Sequence, residues 1–327
     1  MTNAETASAD DTLRVVVLSG GLSHERDVSL RSGRRVAQLL LDAGLHVEVR
    51  DLDAELLPYL RSSRPDVVFP LVHGSTGEDG SIRSLLELLD VPYVGSTSGP
   101  SRLASRKPVA KAVVGAAGVA TPEFVTLPRG LFHEIGSSAV LSTAVEGLGL
   151  PLVVKPEDGG SALGVTAVHR AEDLPEAMVT CFSYGDAALV ERLVEGTEVA
   201  VSVVDTPDGP VALPPVEILT DGPYDYDARY NAGRTEYFVP ARLEEETTRA
   251  ACEAAVAAHR ALGLRDLSRT DLIVDGGGTP WFLAMNVAPG MTELSLFPQA
   301  AQAWAAQGGP SFTDLVVGLV RRAAQRG

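Results

Sequence analysis

The chain has 327 residues and carries 43 acidic against 27 basic side chains, a formal net charge of −16 that argues against a nucleic-acid or anionic-membrane surface. Hydrophobic residues make up 45%, the mean hydropathy is +0.11 and no apolar run is long enough to span a bilayer, which describes a soluble globular protein with room for two or three domains. Cys181 and Cys252 lie far apart and in no metal-ligand spacing, so a reducing cytoplasm is expected. Of the 27 basic residues only Lys107, Lys111 and Lys155 are lysines. A compact ammonium and a planar guanidinium are not interchangeable, so these three positions invite inspection.

The opening MTNAETASADD is polar and acidic, without the basic start or apolar core of a signal peptide, and reads as a disordered tail. RVVVLS (14–19) is a buried strand that runs into Gly20-Gly21. A helix from about Arg31, with Val36, Leu39 and Leu40 on one face, ends at Ala43-Gly44. Strand HVEVRDL, a short helix, strand PDVVFPLVHG, a helix with Ile82, Leu85, Leu86 and Leu89 in register, and a strand VPYVGS follow. Strand–helix alternation of this kind implies a parallel, doubly wound sheet, whose functional residues gather at the carboxyl ends of the strands. Glu25 and His73-Gly-Ser-Thr-Gly-Glu-Asp-Gly80 would then share one edge.

A helix bearing Lys107 and Lys111 comes next, then the apolar strand LPLVVKP ending at Lys155. Glu157-Asp-Gly-Gly-Ser-Ala-Leu-Gly164 follows directly. Glycines let backbone N–H groups approach phosphate oxygens, although the loop is not a P-loop and many such turns are plain hairpins. AALVERLVEG is a strand; its Glu191–Val194 end could hydrogen-bond a flat base, with Glu198 reaching a ribose, or could be a half-buried sheet edge. Antiparallel strands TEVAVSVVD and VALPPVEI, a long tyrosine-rich loop at 221–237 suited to a lid, and an alanine-rich helix from about Glu244 to Leu262 lead to the last third.

There TDLIV and WFLAMN flank Asp275-Gly-Gly-Gly-Thr-Pro280, a hairpin signal. Alternation puts Arg269 and Asp271 on one face of the first strand, and Ala284 and Asn286 on one face of the second. If those faces coincide, a guanidinium, a carboxylate and an amide oxygen meet, and hard oxygen ligands suit Mg²⁺. An Arg and an Asp two apart on a strand are also an ordinary surface pair. A terminal helix carries Leu315, Val316, Leu319 and Val320.

Taken together, HERDVSL, HGSTGEDG, GLPLVVKP, EDGGSALG, YDYDARY, SRTDLIVD and NVAPGMTELSL, in this order and spacing, resemble the D-alanine–D-alanine ligase family of the ATP-grasp fold over roughly residues 14–325. The resemblance implies an α/β chain (α+β in its C-terminal part) of three domains. A 1–12 tail would precede an N-terminal Rossmann-like substrate domain at 13–95 with a doubly wound parallel sheet. A central ATP-grasp subdomain at 96–190 and a C-terminal ATP-grasp domain with metal site and lid at 191–327 complete it. It implies ATP-driven joining of two D-alanines through an acyl phosphate for peptidoglycan precursor synthesis, in a cytoplasmic homodimer acting on small molecules, with no nucleic acid or membrane partner.

By the same resemblance Glu25 holds the first substrate's amine and His73 lies near its carboxylate. Lys107, Lys155 and the lid's Arg229 meet ATP phosphates, and Glu191, Val194 and Glu198 line the adenosine. Tyr230 bonds Glu25 and Ser161; Arg269 and the Gly290 N–H stabilise the oxyanion. Ser295 and the Leu296 N–H fix the second carboxylate, and Asp271 and Asn286 hold Mg²⁺.

Four positions depart from the family pattern. By the resemblance Ala284 replaces a glutamate that typically bridges two Mg²⁺ ions, so either one ion instead of two or weakened metal binding is expected. Arg229 stands for a lysine, Arg106-Lys107-Pro108 for Asp-Lys and an ordinary helical residue, and Ala162 for a second loop serine. Three readings therefore compete: a D-alanine–D-alanine ligase, a related ligase for other amino acids, and a non-catalytic nucleotide binder supported by Ala284.

Overall fold

The computed structural model describes residues 12–220 and 235–327. The expected N-terminal tail and the lid positions Arg229 and Tyr230 lie outside the described residues. Three parallel strands open the fold: β1 (Arg14–Leu18), followed by α1 (Arg26–Asp42), β2 (His46–Arg50), α2 (Leu56–Ser63) and β3 (Val67–Pro70), in sheet order β2-β1-β3. Helix α1 starts at Arg26, five residues before the sequence suggests, which makes Glu25 its N-cap residue. The periodic apolar residues lie further along, so the polar first turn carries no hydrophobic signal. Short helices α3 (Ser75–Glu78) and α4 (Ser81–Leu88) follow. VPYVGS is not a full strand; it contributes one bridge, Val68 to Tyr93, because Gly95 turns the chain away at positive φ.

Alternate side chains of β1 feed two cores. Val15 and Val17 pack with Val36 and Leu40 of α1, while Val16 and Leu18 pack with Leu60, Ile82 and Leu86. The sheet is thus covered on both faces, as a parallel sheet requires.

Helices α5 (Ser98–Ser105) and α6 (Lys107–Ala116) lead into an antiparallel sheet. It is built from β4 (Phe124–Pro128), helices α7 (Arg129–Ile135) and α8 (Ser137–Leu148), β5 (Leu152–Pro156), β6 (Thr166–Val168), α9 (Leu174–Phe182) and β7 (Ala187–Arg192), in strand order β4-β7-β5-β6. Pro108 sits in the first turn of α6, where the missing N–H has no intrahelical partner to lose.

The third sheet contains β8 (Thr197–Thr206), β9 (Gly209–Ala212), β10 (Val216–Thr220) and β11 (Thr235–Phe238). Helix α10 (Glu245–Ala261) precedes the hairpin β12 (Leu267–Val274) and β13 (Pro280–Asn286). Its order is β11-β10-β8-β12-β13, with β9 pairing the far end of β8. VALPPVEI therefore breaks into two strands, since its prolines cannot donate to a ladder. Ala251, Ala255 and Ala258 of α10 cover one face with α5 and α6, so those two helices share a core with this sheet. The other face packs through α11 (Leu296–Ala306) and α12 (Phe312–Ala324) against α1 and the parallel sheet.

Candidate active site

The carboxyl ends of β1 and β3 are stitched together before any ligand is considered. Ser29 Oγ accepts from Gly20 N–H and donates to the Leu71 carbonyl, each at 2.7 Å, and Ser23 Oγ donates to the His73 carbonyl at 2.9 Å. Glu25 and His73 consequently face a common cavity of about 700 Å³. His73 is buried, its backbone contact runs to Ala288, and its Nε2 has no hydrogen-bond partner among the described residues. Burial lowers its pKa below the usual histidine value, opposed by the Glu25 charge, so a neutral imidazole faces the cavity.

The glycine-rich loop closes over this edge. Ser161 and Ala162 both adopt left-handed φ, 52° and 55°, which turns the Ser161 hydroxyl inward to donate to Glu25 Oε1. Lys107 Nζ donates to the Gly159 carbonyl at 2.7 Å, and Arg106 pairs with Glu157 at 2.6 Å. The charge reversal at position 106 is thereby absorbed by the loop itself. Desolvation and the nearby Lys155 charge lower the Lys107 ammonium to about 8. Lys107 and Lys155 both line the cavity.

The β12–β13 ladder places Arg269 opposite Asn286 and Asp271 opposite Ala284, so all four project from one face into the cavity. A bulge at Leu283 follows the pair. Glu198 on β8 stands opposite Ile273 and joins the same face. Arg269 forms a two-pronged bond with Asp271, Nε to Oδ1 at 2.7 Å and Nη2 to Oδ2 at 2.9 Å. The bland surface-pair reading is excluded because Arg269 is buried.

Downstream, Gly290 lies against Ser295: a Cβ built there would meet Ser295 Oγ at 2.7 Å. Ser295 Oγ accepts from Thr292 N–H at 3.0 Å, and Leu296 begins α11, where the first-turn N–H groups have no intrahelical acceptor. Gly290, Ser295 and Leu296 line the cavity, as do Glu191, Val194 and Glu198.

Whether the donor set suits Mg²⁺ follows from the hairpin. Asp271 and Asn286 offer one carboxylate and one amide oxygen on a shared face, and Asn286 Oδ1 already accepts from Ala288 N–H at 2.8 Å. Each of these oxygens has a second lone pair, so the set fits one Mg²⁺ completed by phosphate oxygens and water. It does not supply a bridging carboxylate, and no group of three His, Cys, Asp or Glu side chains within metal reach occurs among the described residues.

Two residues at the site escaped sequence reasoning. Glu78, quoted within HGSTGEDG but given no role, lines the cavity with its carboxyl pushed up to about 8 by desolvation and by the Glu25 charge. Lys111 is fully buried, 2.8 Å from Glu191. Its signal was present, as one of three lysines and four residues from Lys107 on a helix, but its partner lies 80 residues away in the chain.

Comparison with known proteins identifies the family. Residues 113–321 match the family model for the D-ala D-ala ligase C-terminus and residues 51–96 that for its N-terminus. A D-alanine–D-alanine ligase from Anaeromyxobacter sp. is 43% identical over 312 residues, covering 95% of this chain and 97% of that one. One from Pelotomaculum thermopropionicum is 39% identical over 315 residues, 96% and 98% of the two chains. Among solved structures, the VanG D-Ala:D-Ser ligase from Enterococcus faecalis superposes with a TM-score of 0.81 at 26% identity, covering 95% of this chain and 99% of the other. The D-alanine–D-alanine ligase from Coxiella burnetii gives 0.79 at 25% identity, with 96% of each chain covered. With both family models matched and identities near 40% over almost the whole length, the chain belongs to the D-alanine–D-alanine ligase family.

Proposed function

We propose that the protein is an ATP-dependent ligase that joins two D-alanine molecules into D-alanyl-D-alanine for peptidoglycan precursors, acting in the cytoplasm as a homodimer. The observation that carries this reading is the hydrogen bond from Ser161 to Glu25, across 136 positions of sequence. It sets a carboxylate suited to a substrate ammonium against the loop suited to phosphates, inside one cavity.

In this reading the segments 13–95, 96–190 and 191–327 act as substrate, central and metal-holding parts. Glu25 holds the ammonium of the first D-alanine and the neutral His73 lies by its carboxylate. Lys107, Lys155 and Arg229 position the triphosphate, whose γ-phosphoryl passes to that carboxylate to give an acyl phosphate and ADP. The amine of the second D-alanine, its carboxylate held by Ser295 and the Leu296 N–H, attacks the acyl carbon. Arg269 and the Gly290 N–H stabilise the resulting oxyanion, and phosphate leaves. Tyr230 completes the hydrogen bonding of Glu25 and Ser161. Asp271 and Asn286 would hold one Mg²⁺, which supplies charge neutralisation on the transferring phosphoryl group.

The test is ATP consumption with Mg²⁺ and D-alanine, with products identified by mass. ADP, phosphate and D-alanyl-D-alanine are expected. Ala284 favours a second reading, a related ligase for other amino acids. ADP formed with another amino acid but not with D-alanine would replace the first reading by this one. Nucleotide binding without turnover on any amino acid would leave only a non-catalytic role.

A further inference from the structure

Glu191 is claimed by two lysines, one at each carboxylate oxygen. Lys155 Nζ lies 2.5 Å from Oε1 and Lys111 Nζ 2.8 Å from Oε2, the latter an ion pair outside the directional geometry of a hydrogen bond. Strand pairing explains the arrangement. Val153 of β5 and Phe124 of β4 both stand opposite Glu191, so Lys155, two residues beyond Val153, projects on the same face. Lys155 and Glu191 line the cavity. Lys111 comes from α6, with no exposed surface, 5.4 Å from the Phe124 ring centre and 3.4 Å from the Phe282 carbonyl of β13. Burial alone would push the Glu191 carboxyl up, but Lys155 and Lys111 together hold it below the usual range.

The two lysines cannot play the same part. On the reading of the cavity as an ATP site, on which this inference rests, Lys155 must serve a phosphate. An ammonium held 2.5 Å from Glu191 then shares its three donors and its single charge between that carboxylate and an anionic phosphate. The buried carboxylate is left less fully compensated by Lys155, and an uncompensated buried charge neutralises by taking up a proton. We infer that Lys111 is the positioning residue that keeps Glu191 ionised and in place while Lys155 is handed to the nucleotide. Glu191 is then an acceptor only. A purine that presents an amino group at its six-membered ring edge donates to it, whereas one with a carbonyl there meets lone pair against lone pair. Lys111 thus acts on base selection through Glu191 without touching the base.

The experiment uses the full-length protein and compares ATP with ITP, which carries a carbonyl in place of the adenine amine. Binding is measured by calorimetry, kcat and KM are measured with D-alanine, and folding is checked by thermal melting. Lys111→Met removes charge and donor. Lys111→Gln removes the charge but leaves a donor near Oε2, and serves if the first variant does not fold. The wild type should prefer ATP. Lys111→Gln should raise KM for ATP with kcat within about twofold, and reduce the ATP-over-ITP preference roughly tenfold or more, the scale of a hydrogen bond to a charged group. In a Glu191→Gln background the same substitution should leave the preference within about twofold, because its effect runs through the carboxylate. A wild-type preference retained in Lys111→Gln, or an equal loss in both backgrounds, overturns the inference and leaves the ATP site standing. A wild type that binds no ATP overturns both.

Discussion

Asp271 and Ala284 are direct cross-strand partners on the cavity face of the β12–β13 hairpin. A carboxylate at 284 would therefore stand beside Asp271 and reach the same ion. Ala284→Glu is expected to lower the Mg²⁺ concentration needed for half-maximal turnover. Without metal, two carboxylates directly opposite repel, so the variant should melt below the wild type and recover with Mg²⁺ and nucleotide. A Mg²⁺ titration of turnover and of melting temperature checks both; an unchanged Mg²⁺ requirement would mean that another carboxylate already fills the role.

Arg269 reaches the cavity with a guanidinium pre-aligned by its fork onto Asp271. Arg269→Ala should lower kcat by about 10²–10³, the cost of losing one oxyanion donor. Arg269→Lys retains charge without the planar fork and should recover only part of that loss. Steady-state kinetics with saturating ATP and D-alanine decide it, and near-normal turnover in the alanine variant would remove the oxyanion role.

Gly290 is held by close approach and not by its φ angle. Because a Cβ there would meet Ser295 Oγ at 2.7 Å, Gly290→Ala should displace Ser295 and the start of α11. Misplacement of this kind should cost about tenfold or more in kcat/KM for D-alanine, with a smaller change in KM for ATP. Equal effects on both substrates would point to general loosening of the fold instead.

Glu78 ties stability to pH. In the unfolded chain it ionises near its ordinary value of 4.5, but in the folded protein only at about 8, so between these values the native state holds the extra proton. Stability from this group is therefore lost as pH rises through that window. Glu78→Gln removes the penalty: its melting temperature relative to wild type should increase steadily from about pH 5 to about pH 8. A gap that does not change with pH would show that Glu78 is ionised in the native protein.

Nucleotide binding should weaken in alkali. Desolvation lowers both Lys107 and Lys111 to about 8, Lys107 facing Lys155, Asp158, Glu78 and Glu191, and Lys111 facing Glu191 and Lys155. Below that value both ammonium groups are charged; above it they are neutral while Glu78 becomes anionic, and each change disfavours a polyphosphate. KM for ATP should rise as pH climbs through about 8, approaching tenfold per pH unit for one required proton. A flat KM between about pH 7 and about pH 9 would show that neither lysine's proton is required.

Much of the architecture was legible because its signals are local. Alternation predicted that Arg269 and Asp271 share a face, turn residues marked the 275–280 hairpin, and helical spacing marked Leu315, Val316, Leu319 and Val320, all buried in the structure. The errors are local too: the polar first turn of α1 and the proline-broken VALPPVEI lack the periodicity that reveals an element.

By itself the sequence determined which chemical groups the chain possesses, their order and the family they resemble. Only the tertiary structure decided which of them meet. The hairpin register brought Ala284 opposite Asp271, the left-handed turn at Ser161 carried its hydroxyl to Glu25, and the packing of α6 against β13 and β4 delivered Lys111 to Glu191. Such contacts join segments distant in sequence, and their consequences depend on burial, where desolvation and unscreened charge outweigh the intrinsic chemistry of each side chain.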